Sequence, residues 1–432
     1  MSFGIVRRLP RPIRVHAIEA ADAVRAFLER RTAGSTTDPI ALRLLRTLPR
    51  RARRRYTGTR VAVVGLFSTP CGLQRGAELM VRDLLARGIQ VLAFDLAPAL
   101  GMAPELDTTA TADPAVLRAW APTDIVIHIN PPMFARVLTL LPPQVVLGCG
   151  VVGFWVWELS VMPPSWKDCA DYVDQVWAPS PFVAAVIAAG LADAALAGGD
   201  LPVRVVPHAA DRDPMAPTGK AERTALRTAF GLPEASFVVG TSFSFSSNYA
   251  RKNPCGSIDA FRAAFRGGER ACLVIRCNDA LRHALLYEHL VSYAGDDPRI
   301  HIWECSQRAY PIRQFYGQLD AYISLHRSEG YGLNLVEAAQ TGIPVIATGW
   351  ALSPDIVARP QVRQVAWRLV VPIDTQKTYE QYAGARWAEP DICDAADALR
   401  ATHARWTTET ATSEGSRVEA RYNGFGPLRD RS

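Results

Sequence analysis

Residues 323–349 read ISLHRSEGYGLNLVEAAQTGIPVIATG, and this stretch decides the fold. The apolar run Ala321–His326 has the form of a buried strand. Ser328–Gly332 is a glycine-punctuated loop, Leu333–Thr341 carries helical periodicity, and Pro344–Thr348 reads as a second strand. Two carboxylates, Glu329 in the loop and Glu337 about a turn inside the helix, are separated by seven residues. The first turn of a helix leaves backbone N–H groups without partners and carries a partial positive charge. The amides around Gly330, Tyr331, Gly332 and Leu333 therefore form a natural seat for a phosphate. A carboxylate beside such a seat is suited to accept hydrogen bonds from sugar or ribose hydroxyls. An isolated strand–loop–helix with two solvated glutamates is common in α/β proteins, so the weight rests on the whole string.

The chain has 432 residues, which predicts two domains. Its 49% hydrophobic and 21% charged residues are those of a globular protein with a sizeable core. No apolar run reaches the ~18 residues that span a bilayer, and the N-terminal MSFGIVRRLPRPIRV lacks the apolar region of a signal peptide. The eight cysteines are scattered without metal-ligand spacing, so neither a disulfide framework nor zinc is expected, and a reducing cytoplasm fits. Charge is uneven. Residues 1–60 hold fifteen arginines and four acids, a formal +11, so against +6 for the whole chain the remainder sums to −5. A mildly acidic body thus carries a basic arm, densest at Arg50–Arg55. Its partner is either an anionic membrane surface or solvent alone. Nucleic acid is not expected, because no aromatic interrupts the run to stack on bases.

Apolar strands alternate with helical patterns along the rest of the chain, the mark of parallel doubly wound sheets. In the first half strands are expected at Val61–Phe67, Val91–Leu96, Asp124–Asn130, Val145–Glu158, Gln175–Pro179 and Val203–Pro207. In the second they are expected at Phe237–Phe245, Cys272–Cys277, Ile300–Glu304, Ala321–His326 and Pro344–Thr348. Residues 207–219, with three prolines and no periodicity, read as a linker. Asp211–Arg212–Asp213 inside it resembles a metal-binding D-x-D only superficially and is read as a solvated loop. The expected organisation is a basic arm (1–59), a first domain (60–206), the linker, a second domain (220–385), and a C-terminal helix and tail (386–432).

The sequence Glu329, Gly330, Tyr331, Gly332, Leu333, Glu337, Ala338, Gly342, Pro344, Val345, Ile346, Ala347 closely resembles the E-x7-E signature of retaining glycosyltransferases of family 4, departing at Gln340 where relatives usually have alanine. The resemblance covers roughly residues 60–405 and is stronger in the second half. It implies an α/β protein of the GT-B fold, two Rossmann-like domains facing each other across a cleft. It also implies transfer of a sugar from a nucleotide-sugar donor to a glycan or lipid-linked acceptor with retention of configuration, and a C-terminal helix that crosses back onto the first domain. The alternative is a non-catalytic scaffold of the same fold that binds a sugar nucleotide or a partner protein.

Carried over residue by residue, Glu329 touches the donor sugar and Glu337 reads the ribose. Lys252 matches the family lysine that meets the diphosphate. The arginine usually found five residues earlier is Ser247 here, and Arg251 is the substitute beside Lys252. No cofactor or metal is implied. Gly72 and Gly76, in the loop after the first strand, would let the backbone approach the donor phosphate. Trp157 and Glu158 at the end of one strand, and His128 and Asn130 at the end of another, are the candidates for the acceptor side. For each pair a purely structural role is the competing reading. His208 stands where many relatives have asparagine and reads as a hinge residue.

Overall fold

The computed structural model describes residues 53–422, apart from 193, 195, 197–199, 306–310, 377 and 380–382. Most of the basic arm lies outside the described residues. Its end is tied down. Arg53 donates to the carbonyl of Val173 at 2.5 Å, the amide of Arg54 to Asp174 at 2.7 Å, and the guanidinium of Arg54 to the carbonyl of Gly148. Thr57 and Gly58 then donate to Asp124 at 2.7 and 2.9 Å. Two arginines of the dense run are thus spent on docking the chain.

The first domain is a six-stranded sheet ordered β2-β1-β3-β4-β5-β6, all parallel. Its strands are β1 (Arg60–Gly65), β2 (Gln90–Asp95), β3 (Asp124–Ile127), β4 (Gly150–Phe154), β5 (Gln175–Ala178) and β6 (Val203–Val205). Alternate residues of β1 serve opposite faces. Ala62 and Val64 join one apolar cluster with Ile125 and Ile127, while Val61 and Val63 join another with Val126 and Val152. Coverage on both faces is why these strands read as unbroken apolar runs. The expected long strand Val145–Glu158 is corrected. Its first part is a helix, Pro143–Gly148, and only Gly150–Phe154 is strand. Pro143 suits the first position of a helix, and a short apolar run cannot tell a buried helix from a buried strand.

The second sheet is also parallel, ordered β12-β11-β10-β7-β8-β9. It comprises β7 (Phe237–Ser244), β8 (Ala271–Asn278), β9 (Ile300–Glu304), β10 (Ala321–Ser324), β11 (Val345–Thr348) and β12 (Val362–Val365), the last not anticipated. The chain winds outward from β7 to β9, then returns to lay β10 on the other side of β7. Ligands of such sheets lie at this switch, beyond the carboxyl ends of the strands. Here those ends run into Phe245–Lys252 and Leu325–Gly332, the two segments that carry the predicted chemistry.

A two-stranded antiparallel sheet, β13 (Trp367–Val370) with β14 (Trp387–Pro390), follows. It was not foreseen, and it corrects the expectation that the C-terminal helix crosses back. The helix, Ile392–Tyr422, packs Ala395, Ala396 and Leu399 into the core of the second domain, against the Pro254–Ala264 helix. Small alanines allow that close helix–helix contact. The crossing is made just before it, where Tyr379, Ala385 and Trp387 enter the core of the first domain.

Candidate active site

A cleft of about 490 Å³ lies between the domains, lined from both. On the second-domain side, the turn after β7 is shaped by two asparagines with positive φ, Asn248 (71°) and Asn253 (50°). Asn248 accepts from the Arg251 amide at 2.9 Å and donates to Asp374 at 2.6 Å. Asn253 donates to the Leu325 carbonyl at 2.9 Å and so ties this turn to the end of β10. Asparagine tolerates the left-handed region because its short side chain bonds locally. The result is a short helix, Tyr249–Lys252, that presents Arg251 and Lys252 to Glu329.

Lys252 Nζ lies 2.5 Å from Glu329 Oε1, and Arg251 lies 3.3 Å from Glu329 Oε2. Burial by itself would raise the Glu329 carboxyl, but Lys252, Arg251 and His326 outweigh it and pull it down to about 2. Glu329 is therefore a fixed carboxylate. Burial lowers the Lys252 ammonium, with Glu329 opposing. For Arg251 burial also acts against the charge, but Tyr379, Glu158 and Glu329 prevail and raise it. The Arg251 guanidinium donates to the carbonyls of Ser328 and Ser247 at 2.8 and 2.7 Å, and approaches Glu158 at 3.7 Å. It is buried and joins a carboxylate of each domain. Arg251 lines the cleft beside Lys252 and Glu329, and its guanidinium also braces the site from beneath.

The Leu333–Gln340 helix begins at Gly332, which has φ +94° and no side-chain cap, so its first amides face the cleft. Gly330 is required by close approach. A Cβ there would stand 2.5 Å from Val156 Cγ1 of the first domain. Tyr331 lines the cleft, but its hydroxyl turns away, donating to Asp355 at 2.5 Å and lying 3.0 Å from the His208 carbonyl. Leu333 and Glu337 both line the cleft. Glu337 accepts from Arg75 at 3.2 Å and faces the Tyr316 hydroxyl at 3.5 Å. Burial raises its carboxyl, with Arg75 pulling the other way. The two glutamates of the motif are thus driven in opposite directions, which suits them to different tasks.

On the first-domain side, the 15-residue helix Gly72–Ala86 points its N-terminus into the cleft, where Cys71, Gly72 and Leu73 line it. A Cβ on Gly72 would meet nothing within 4 Å, so the backbone there is open to a ligand. Gly76 is corrected: it lies inside the helix, where a Cβ would stand 2.5 Å from the His208 ring, and its smallness serves that packing. His128 is corrected too. It is fully buried, stacked on Phe154 at 4.3 Å and set against Met80 at 3.2 Å, away from the cleft. Asn130 reaches the cleft and accepts from the Val156 amide at 2.9 Å. Trp157 lines the cleft, with its indole N–H committed to the Val161 carbonyl at 2.7 Å and its ring against Tyr379. Glu158 accepts from the Tyr379 hydroxyl at 3.3 Å.

In the Asp211–Arg212–Asp213 segment Asp211 and Arg212 are exposed as expected, whereas Asp213 is half-buried and paired. Asp213 receives Arg75 at 2.9 Å, Arg82 at 3.2 Å and Arg313 at 2.6 Å, which pins the linker to a helix of each domain. Arg75, Arg276, Asn278, Tyr316 and Tyr379 are cleft or near-cleft residues that the sequence did not single out. Arg75 stood in plain view between Gly72 and Gly76, but nothing local marks a side chain whose partner is 262 positions away. Among the described residues, no group of three His, Cys, Asp or Glu side chains is placed to hold a metal ion.

Two parallel Rossmann-like sheets, joined by a linker and facing each other across a cleft that carries a glutamate in a loop and a second on the helix after it, define a GT-B fold. The glycosyltransferase from Rickettsia africae ESF-5 superposes with a TM-score of 0.53 at 11% identity, covering 81% of this chain and 89% of that one. WaaG, a glycosyltransferase involved in lipopolysaccharide biosynthesis, gives a TM-score of 0.49 at 15% identity, covering 84% and 95%. HepE from Anabaena, in complex with UDP-glucose, gives 0.48 at 14% identity, covering 68% and 81%. No protein-family model matches the chain, and no curated protein matches it.

Proposed function

We propose that this protein is a glycosyltransferase that moves a sugar from a nucleotide-sugar donor to a glycan or lipid-linked acceptor hydroxyl, with retention. The observation that carries this reading is the convergence of Lys252 and Glu329 in the interdomain cleft, with Glu337 on the helix that follows Glu329 and that helix's first amides between the two glutamates. The amides and Lys252 would take the diphosphate. Glu329, ionised at any physiological pH, would accept from the donor sugar's hydroxyls. The sugar–phosphate C–O bond breaks as the acceptor oxygen bonds to the same carbon on the same face. The acceptor proton passes to the departing phosphate oxygen, so no protein base is required. Catalysis in this reading is positioning and electrostatics.

In this reading the charge of the leaving group is met by protein cations and helix dipoles, not by a metal. Trp157 and Glu158, with Asn130, would border the acceptor. The arm would hold the enzyme at an anionic membrane face.

A thermal-shift panel of nucleotide sugars with and without EDTA tests the reading, since a ligand of the folded state raises the melting temperature. A rise with one nucleotide class that survives EDTA is expected. Glu329→Gln should then abolish transfer to an added acceptor while the variant still melts cooperatively. Normal turnover by Glu329→Gln would remove this residue from the chemistry. No shift with any donor would favour the scaffold.

A further inference from the structure

We propose that Arg75, on the first domain, is the positioning residue for Glu337 on the second, holding that carboxylate in the orientation that receives the donor's ribose hydroxyls. The inference rests on the functional reading above and concerns which residue completes its nucleotide subsite.

Three observations carry it. First, the contact is direct and crosses the cleft: Arg75 Nε lies 3.2 Å from Glu337 Oε1, and the Glu337 side chain is only 11% exposed. Second, Arg75 cannot swing freely. Its terminal nitrogens lie 2.9 Å from Asp213 and 3.6 Å from Glu78, and Asp213 is itself gripped by Arg82 and Arg313. A guanidinium fixed by two other carboxylates presents its remaining N–H in one direction only. Third, the other Glu337 oxygen faces the Tyr316 hydroxyl, which also contacts the Asn334 carbonyl at 3.2 Å. The carboxylate is thus clamped from both sides, and its open edge lines the cleft.

A buried carboxylate that loses its cation tends to protonate, and a protonated group is a poorer acceptor. Burial raises the Glu337 carboxyl, Arg75 is the cation that pulls it down most, and Asp213 pushes it further up; Arg276 lines the same cleft beside Tyr316. Removing Arg75 therefore weakens ribose recognition, most at acid pH. The nucleotide subsite is complete only while the two domains sit in this relation, so the ribose hydroxyls read the first domain through Arg75.

The test is calorimetric titration of UDP, GDP and ADP, and of their 2′-deoxy and 3′-deoxy forms, into the full chain. The wild type should prefer one ribonucleotide over its deoxy forms on the order of tenfold, the scale of a hydrogen bond to a charged acceptor. Arg75→Gln should remove that preference, as should Glu337→Gln, and Arg75→Lys should keep part of it. Arg75→Gln with the wild-type preference intact overturns the proposal. Equal weakening of ribo and deoxy forms overturns it too, because a merely structural residue would do that. If the wild type binds none of these nucleotides, the functional reading falls and this proposal falls with it. If the wild type discriminates and Arg75→Gln does as well, only this proposal falls.

Discussion

Glu329 and Glu337 are the same residue type on the same loop and helix, and their surroundings set them apart. Glu329 meets a lysine and an arginine, while Glu337 meets one arginine that is shared with Asp213. The histidines show the opposite case, burial without sufficient compensation. His208 is pushed down to about 4 by burial, with Arg75 adding to the effect and Asp355 opposing it. His128 is held well below its ordinary range by burial and by His208, and His326 lies at about 4. The unfolded chain binds a proton near pH 6.5 while folded His208 stays neutral until about pH 4. Stability is therefore full above pH 6.5 and declines as pH falls toward 4. His208 accounts for about 3 kcal/mol of that decline at most. His208→Asn should lower the melting temperature at neutral pH through lost packing, yet flatten its fall between pH 6.5 and 4. An unchanged slope in melting temperature against pH would show that His208 titrates alike in both states.

At the scale of elements, the Leu333–Gln340 helix was read to within one residue because its signals are local: a glycine pair before it, apolar spacing within it, and Gly342 after it. Gly332 and Gly342 both have positive φ, +94° and +83°, but only Gly332 is crowded. A Cβ there would lie 3.0 Å from Leu335 and 3.1 Å from Ile356, while one on Gly342 would meet nothing within 4 Å. Gly342→Ala should cost only the left-handed strain of an L-residue, about 1–2 kcal/mol. Gly332→Ala should cost more in urea unfolding, and should also weaken donor binding by tilting the amides that open the helix. Equal costs would mean that the neighbours yield freely. The elements that escaped the sequence are those with no local signal. The Pro143–Gly148 helix lay hidden in an apolar run, and β13 and β14 pair across an intervening segment of 16 residues.

At the scale of the whole molecule, the two sheets meet through a small set of charged and close-packed contacts. Arg251 links Glu158 to Glu329, Arg75 links the first helix to Glu337 and the linker, and Gly330 abuts Val156. The cleft lies at the carboxyl ends of the strands. The arm joins at the opposite end of the first sheet, where Asp124 and Asp174 receive it. Among the described residues no helix is long and apolar enough to cross a membrane. If the arm binds a bilayer, deleting residues 1–49 removes nine arginines and four acids while sparing the docked Arg53–Gly58 segment. At about 1 kcal/mol per basic residue near an anionic surface, sedimentation with phosphatidylglycerol vesicles should fall by more than tenfold. Sedimentation with phosphatidylcholine vesicles should not change. Equal sedimentation of full-length and truncated chains with both would leave the arm to solvent.

The alternation of strand and helix, the two-domain division and the paired-glutamate loop were legible in the sequence. Each depends on neighbours within a few turns of chain: apolar periodicity, turn glycines, and the spacing of two acids around one helix start. Lys252 was singled out by its match to the family lysine that follows a strand, and it lines the cleft. What only the tertiary structure decided is the set of partners. Arg75 and Glu337 lie 262 positions apart, Arg251 and Glu329 lie 78 apart, and Tyr379 reaches Glu158 from 221 positions away. No local pattern encodes such pairs. They arise because the two sheets are set face to face, and burial in the cleft between them fixes which charges must find one another. The same burial took His128 and Gly76 out of the site and brought Arg75 to its edge.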